Sequence, residues 1–378
     1  MLTIYRSNKA EWLAEILGQE LRLNPPEITE VVDIIVSTWP SSRWLSEKLS
    51  IINNINALVN FPFPGTYFKR LVNGIIGIDP NEKDPWERNY LVWDILELLP
   101  ELAKRKEAEV IKIWLEKNQQ DGEEVNVNVW NLASNIAETF DEYILFRPNI
   151  IKQWLSNKDK KVSKNLSINK NSLWQEILFQ LLHEKINKDP FCIQAEKAIK
   201  VLKNEDISKV NYPKNLYIYG LSSLAPLQID LIQAFSKIIN IKIFLISPCN
   251  DLWQRCEERR LQFNNTWNTP PDRKWLLESP RLEAFLGRMG AEFQQLLEGS
   301  GEYQLGERNE EDIFSLTADI AANKGNTPTL LEQLQQELLS TKSENILTKE
   351  KSDKSLLFLK SPGKYRQVEL IRDHILQL

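Results

Sequence analysis

The sequence predicts an α/β fold, a parallel sheet of mononucleotide-binding shape with large helical insertions and helix-rich overall, and three observations carry the prediction. The stretch Val32-Asp-Ile-Ile-Val-Ser-Thr-Trp-Pro-Ser-Ser-Arg-Trp-Leu45 and the stretch Val59-Asn-Phe-Pro-Phe-Pro-Gly-Thr-Tyr-Phe68 each read as a buried strand emptying into a polar turn and a helix. Further on, Asn215-Leu-Tyr-Ile-Tyr219 and Ile241-Lys-Ile-Phe-Leu-Ile246 flank an amphipathic segment opening at Pro226, a β-α-β unit that returns to the sheet begun at the amino terminus. The third observation is a lack. No Gly-x-x-x-x-Gly-Lys-Ser/Thr loop follows any strand, and the only Gly-Lys pair, Gly363-Lys364, runs into Tyr365. Without backbone amides and a lysine to neutralise a triphosphate, the chain has the shape of an NTPase and not its phosphate cradle.

The elements follow in order. Leu2 to Tyr5 reads as the first strand, residues 10–23 as an amphipathic helix, 31–36 as a strand, a helix starts near Ser42, and 57–61 is again a strand. From 85 to 146 the period becomes helical. Val129, Trp130, Leu132, Ala133, Ile136, Ala137, Phe140, Tyr143 and Ile144 recur at three and four residues, which buries one stripe and leaves Glu138, Asp141 and Glu142 on other faces. Residues 156–172 hold five Lys against one Asp and almost nothing apolar, the composition of a surface loop or tether. Helical periodicity resumes over 173–202 and 226–238, and again over 253–298 and 329–339; 340–355 reads as a linker. Leu356-Leu-Phe-Leu359 is a strand signal, and the apolar spacing of Val368, Leu370, Ile371, Ile375 and Leu378 is helical, so a new unit is expected to start there.

Composition bounds the function. At 378 residues the chain exceeds the usual size of one hydrophobic core. A net charge of -5 excludes a surface that is cationic throughout, so any nucleic-acid contact has to come from local patches. Cys192, Cys249 and Cys256 are too few and too scattered for a disulfide framework or thiolate metal site and read as small buried residues of a reducing compartment. No run reaches the ~18 apolar residues of a membrane span, and the start lacks the pattern of a signal peptide. A cytoplasmic protein is expected.

Catalytic readings fail in turn. The two histidines, His183 and His374, have no metal-ligand spacing. Gly220-Leu-Ser-Ser-Leu224 joins a strand to a helix as a nucleophile elbow does but lacks the second glycine; Ser222 or Ser223 is expected to cap the helix, with Pro226 in its first turn. Glu307, Glu310, Glu311 and Asp312 read as a solvated charge run in a polar loop rather than a Mg²⁺ site. Binding is the remaining chemistry. Ligands of open α/β sheets sit off the carboxyl ends of the strands, here residues 37–43 and 61–67. Trp39 offers a face for base stacking, Arg43 a grip on phosphate or guanine, and Ser37 or Thr38 hydroxyl donors. The competing reading makes Trp39 and Trp44 core residues and Arg43 a solvated helix residue.

The ordered landmarks Leu2-Thr-Ile-Tyr-Arg-Ser-Asn8, Ser37-Thr38 with Arg43-Trp44-Leu45, Asn60-Phe-Pro-Phe-Pro64, Trp93-Asp-Ile-Leu-Glu-Leu-Leu-Pro100, Phe140-Asp-Glu-Tyr143 with Arg147-Pro148, Gly220-Leu-Ser-Ser-Leu-Ala-Pro226 and Ser361-Pro362 with Arg366-Gln-Val-Glu369 resemble the amino-terminal part of the RecC family, gamma subunits of exodeoxyribonuclease V. The resemblance implies a degenerate, RecA-like helicase domain over 1–355, with sheet core 1–75 and 213–250, helical insertion 80–210 and helical segment 251–339. It also implies a second helicase-like domain starting at 356–378. It implies a non-catalytic subunit that splits duplex ends and scans the 3'-ended strand for a Chi-like signal. RecB-like helicase-nuclease and RecD-like helicase subunits are the implied partners, and they would bind the ATP and Mg²⁺.

Carried over by alignment, the implied signal-reading positions are Ser37, Trp39, Arg43, Phe63, Lys69, Glu138, Thr139, Asp141 and Arg147. Asp141 and Arg147 keep the family's residue. The others depart from it: Ser37 and Arg43 stand where glutamine is expected, Trp39 for threonine, Lys69 for tryptophan, Phe63 and Thr139 for leucine, and Glu138 for aspartate. Base reading depends on donor and acceptor geometry, so a different signal is expected. An Asp141–Arg147 ion pair at a helix end is the structural alternative for those two. A helical adaptor that binds only proteins is the rival for the whole chain.

Overall fold

The computed structural model describes residues 1–27, 29–118, 127–156, 173–204, 212–248, 308–339 and 350–377, with isolated positions 290, 293, 294, 297 and 347. Strands β1 (Leu2–Ser7), β2 (Val32–Ile35), β3 (Val59–Asn60), β4 (Asn215–Tyr219), β5 (Asn240–Ile246) and β6 (Asn309–Asp312) form one all-parallel sheet in the order β3-β2-β4-β5-β1-β6. The helix-rich α/β fold expected from the sequence is what forms. Strands 2 and 3 pair at one edge, and the chain returns after a long helical excursion to insert β4 and β5 between β2 and β1.

Strand periodicity divides the hydrophobic residues between two faces. Ile4, Ile35, Leu216, Ile218, Ile241, Ile243 and Leu245 face the larger core, whereas Tyr5, Ile34, Val36, Tyr217, Tyr219 and Phe244 face the smaller one. The smaller face is covered by α1 (Ala10–Leu23), through Leu13, Ala14 and Leu17, and by α2 (Trp39–Asn53), through Leu45 and Leu49. An aromatic row crosses this face: Tyr5 stacks on Phe244 with centroids 5.1 Å apart, Phe244 lies 6.1 Å from Tyr219, and Tyr219 lies 6.2 Å from Trp44. The two helices approach closely at Gly18, where a Cβ would stand 2.7 Å from Cγ2 of Ile52.

On the other face pack α3 (Pro64–Ile75) and the helical body: α4 (Arg88–Leu102), α5 (Glu109–Asn118), α6 (Val127–Phe146), α7 (Pro148–Ser156), α8 (Leu173–Ile186), α9 (Phe191–Asn204) and, between β4 and β5, α10 (Pro226–Phe235). Its centre is an aromatic cluster in which Phe179 meets Trp86, Phe140 and Trp154 at 4.8, 5.3 and 5.7 Å. The indole of Trp86 donates to the Lys188 carbonyl at 2.8 Å, so its one polar group is satisfied inside the core. Then follow α11 (Thr317–Asn323), α12 (Leu330–Leu339) and α13 (Lys364–Gln377). Among the described residues no helix is long and apolar enough to cross a membrane.

Several local expectations are corrected. Glu310, Glu311 and Asp312 lie in the edge strand β6, not in a loop, because Arg6 of β1 is buried and needs anionic partners: it binds Asp312 at 2.6 and 3.0 Å and Glu310 at 3.1 Å. Glu307 lies outside the described residues. Helix α2 starts at Trp39 rather than Ser42, since the Thr38 hydroxyl accepts from the Ser41 amide at 3.3 Å and Pro40 fits the first turn. Helix α10 is capped at Ala225, whose amide donates to the Gln228 side chain at 2.9 Å, while Ser222 and Ser223 stay exposed. Residues 356–359 form no strand, finding no ladder partner among the described residues; Phe358 is 93% exposed, so its apolarity buries nothing here. The helical stretch expected over 173–202 breaks into α8 and α9 around Pro190. Cys192 is buried as expected, and burial pushes its thiol up to about 12. Cys249 and Cys256, the loop 157–172, most of 253–298 and most of the linker 340–355 lie outside the described residues.

Candidate functional site

The nine positions singled out from the sequence fall into two groups. The first lies off the carboxyl ends of β2 and β3, whose loops run side by side: the Val36 amide donates to the Pro62 carbonyl at 3.2 Å. After β2 the chain turns through Ser37, exposed, to Thr38, the cap of α2, and to Trp39, which is 69% exposed. Arg43, one turn further along, is also exposed. After β3 the chain reaches Phe63, the residue before the proline that opens α3, and 40% of its surface is open. The core reading of Trp39 is therefore incorrect, while Trp44 does pack inward on Tyr219. Phe63, before Pro64, is extended just ahead of α3, whereas Trp39 opens α2 itself after the extended Thr38, with Pro40 in the first turn. That arrangement holds two rings at the sheet's rim and leaves them uncovered.

The second group sits in the helical layer behind the first. Lys69 lies on α3, in the second turn of the helix that Phe63 precedes. The Lys69 ammonium lies 2.9 Å from Asp84 and 3.5 Å from Glu87 in the connection to α4, and Asp141 of α6 adds to its field. Burial works to lower the Lys69 pKa, but these carboxylates outweigh it and hold the ammonium above its ordinary value. Asp141 is affected the other way. Burial raises its pKa, Lys69 opposes this, and Asp84, Glu87 and Glu142 add to the rise, so the carboxyl stands above its usual range.

Glu138 pairs with Arg88 at 3.3 Å, joining the start of α4 to α6. Thr139 turns its hydroxyl back to the Asn135 carbonyl at 2.8 Å, a common resting place for a mid-helix threonine. Arg147 follows α6, and its guanidinium lies 5.4 Å over the Tyr143 ring. Among the described residues Arg147 and Asp141 form no ion pair; a cation over a ring holds the arginine where a salt bridge was the structural alternative.

Sequence reasoning missed Asp84, Glu87 and Arg88. The signal was present in Asp84-Pro85-Trp86, where the Asp84 carboxylate accepts the Trp86 amide at 3.0 Å and fixes the turn that aims Asp84 at Lys69. Tyr143 was read only as part of a helical stripe. His183 lies against Trp86, ring centroids 6.3 Å apart, with its Nε2 3.3 Å from Asp189.

With this geometry in view, comparison with known proteins decides the family. The family model described as "RecC, N-terminal domain" matches residues 2–341. The chain belongs to the RecC family. A RecBCD enzyme subunit RecC from Haemophilus influenzae is 23% identical, over 100% of this chain and 36% of its own length. The RecBCD enzyme subunit RecC of Escherichia coli K12 is 25% identical over 67% of this chain and 22% of its length, and that of Mycolicibacterium smegmatis is 25% identical over 68% and 22%. The chain thus spans about a third or less of the RecC relatives it matches.

Proposed function

We propose that this chain is the amino-terminal part of a non-catalytic, DNA-binding RecC-type subunit in a RecBCD-type ATP-dependent helicase and exonuclease. That assembly would process double-strand breaks for homologous recombination in the cytoplasm. In this reading the subunit splits incoming duplex and passes the 3'-ended strand over its surface to be scanned for a Chi-like signal. The observation that carries the DNA contact is the rim formed by Ser37, Trp39, Arg43 and Phe63, exposed together at the edge of the sheet where α/β folds bind ligands. Rings stack on bases of any sequence, and an arginine beside them supplies the charge. The departures from the family pattern at Lys69, Glu138 and Thr139 favour a signal other than the family's usual one.

ATP and Mg²⁺ belong, on this proposal, to RecB-like and RecD-like partner subunits. The connection from β1, ending at Ser7, to α1, starting at Ala10, supports it: only Asn8 and Lys9 lie between, too short a turn to wrap a triphosphate. Robust ATP hydrolysis by the isolated chain would overturn this part of the reading.

The direct test is fluorescence anisotropy of labelled single-stranded and forked DNA titrated with the chain at several salt concentrations. Affinity that falls steeply with salt supports phosphate contact, because counterions are released; salt-insensitive binding, or none, sinks the proposal. A second reading, a protein-binding adaptor, is favoured by Trp93, 62% exposed, which meets Trp130 edge-on at 5.0 Å on the outer side of α4 and α6. Recovery from a cell extract of protein partners that include no helicase or nuclease would favour it.

A further inference from the structure

The opposite edge of the sheet holds a feature that DNA scanning does not use. At the amino-terminal ends of β2 and β4 a cavity of about 430 Å³ opens between Glu27, residues 29–31, the second half of α3 and residues 212–214. That volume lies within the ordinary range for small-molecule sites. Aromatic rings from Tyr67, Tyr212 and Phe235 form part of its wall. The charged groups on it are Glu27, Glu30, Asp33, Arg70 and Lys214, one more carboxylate than cations.

The partners of these charges leave one anion over. Asp33 accepts Arg70 at 2.8 Å on one oxygen and the Asn60 amide at 2.9 Å on the other. Lys214 binds Glu27 at 3.1 Å. Glu30 accepts the backbone amide of Glu27 at 3.1 Å and lies in the field of Lys214, whose ammonium Glu27 holds, but among the described residues it has no ion pair of its own. Beside this stands an unusual vacancy in the hydrogen bonding. Tyr67 is 1% exposed, and its buried hydroxyl, beside the Asp33 carboxylate, makes no hydrogen bond of good geometry among the described residues. Burial, and next the nearby Asp33 carboxylate, push that phenol well above its ordinary value, so it stays neutral and able both to donate and to accept. A buried hydroxyl without a partner costs free energy unless a ligand or water takes it up.

We propose that this cavity binds a linear alkyl polyamine, with one ammonium taken by the Glu30 carboxylate and the Tyr67 hydroxyl and the methylene chain lying against the aromatic wall. Ammonium is the group that both donates to a carboxylate and a phenol oxygen and sits favourably against aromatic faces. A divalent metal ion would need several oxygen ligands closing around it. Here Asp33 and Glu27 are already taken by cations, and much of the wall is apolar.

The test is isothermal titration of the full chain with spermidine at fixed ionic strength, alongside N-acetyl-lysine methyl ester as the side-chain equivalent a partner protein would present. Saturable one-to-one binding is expected, tighter for spermidine than for the lysine derivative and weakened about tenfold or more in both Tyr67→Phe and Glu30→Gln, the usual weight of a hydrogen bond to a charged group. Tyr67→Phe removes only that hydroxyl, so the variant should unfold at the same or a higher urea concentration; Glu30→Gln, at the rim, is the second variant should that one misfold. Equal binding by wild type and variants would mark diffuse counterion attraction to an acidic protein and overturn the site. Absence of saturable binding, or preference for the lysine derivative, would overturn it as well.

Discussion

Replacing Lys69 by Met removes the one cation among three carboxylates and keeps most of the side-chain volume. The Lys69 and Asp84 side chains are 20% and 16% exposed, so their pair lies between two limits. An exposed ion pair contributes about 0–1 kcal/mol, whereas removing one partner of a buried pair costs about 3–5 kcal/mol. A loss of about 2 kcal/mol at pH 7 is expected for Lys69→Met, a factor of about 30 in the folded-to-unfolded ratio. The loss should depend on pH in a particular direction. Asp141 has a folded pKa above its unfolded value of 3.8, so the folded state binds the extra proton and ionised Asp141 costs stability at neutral pH. Acidification through the raised pKa returns that stability. Without Lys69 the Asp141 carboxyl loses a favourable neighbour and its pKa rises further, so the deficit should shrink between pH 7 and pH 5.

Urea unfolding followed by tryptophan fluorescence at pH 5, 6 and 7 measures this, with Asp141→Asn and the double variant completing a cycle. The double variant should recover at least about 0.5 kcal/mol relative to the sum of the single changes. On the alkaline side the sign reverses. Lys69 has a raised folded pKa, so its contribution is in place below the unfolded value of 10.5 and is lost as pH rises through the folded one; Lys69→Met should flatten that alkaline loss. An identical deficit at pH 5 and pH 7, or one below about 0.5 kcal/mol, would mean the cluster is solvated rather than coupled, and the reasoning would fail.

Three further outcomes can be checked. Trp39→Ala should leave urea stability within about 0.5 kcal/mol, since the ring is exposed, yet weaken single-strand binding by about 1–3 kcal/mol in anisotropy. Arg43→Ala should reduce the slope of log affinity against log salt by about 1 and act alike on all sequences, as loss of a phosphate contact does; a loss confined to one sequence would point to base reading instead. Gly18→Ala should destabilise by about 1–3 kcal/mol in the same unfolding assay, because the clash with Ile52 outweighs the gain in helix propensity.

Much of the sheet was legible because its strands are short, β-branched and bounded by turn residues. Asn215–Tyr219 and the helix Ala10–Leu23 have the limits their periodicity gives. What escaped depends on contacts between distant parts of the chain. Residues 309–312 carry three acids and no hydrophobic alternation, and they pair with β1 only because Arg6, three hundred residues earlier, is buried there. Leu356-Leu-Phe-Leu359 fails the other way: its composition suits a strand, but a strand also needs a neighbour. At the candidate site, the exposure of Trp39 followed from Thr38 and Pro40, a cap and a first-turn proline, both visible in sequence but read one turn too late. The partners of Lys69 come from a turn and a separate helix, and no periodicity announces such a meeting.

The two groups of candidate residues differ in what it costs them to meet a ligand. Lys69, Glu138 and Thr139 already hold partners, Arg147 lies over Tyr143, and Asp141 sits in the field of Lys69. Any base that engaged them would have to replace those interactions, and its net gain would be the difference between two similar contacts. Ser37, Trp39, Arg43 and Phe63 make no such demand, because their surfaces already face solvent at the sheet's rim. A strand of DNA would therefore gain most of its affinity at the rim. The helical cluster would contribute discrimination, since only a base offering a better partner than the present one shifts its ion pairs. Affinity without sequence preference at Trp39 and Arg43, together with preference without much affinity at Lys69 and Asp141, is the division of labour this geometry favours.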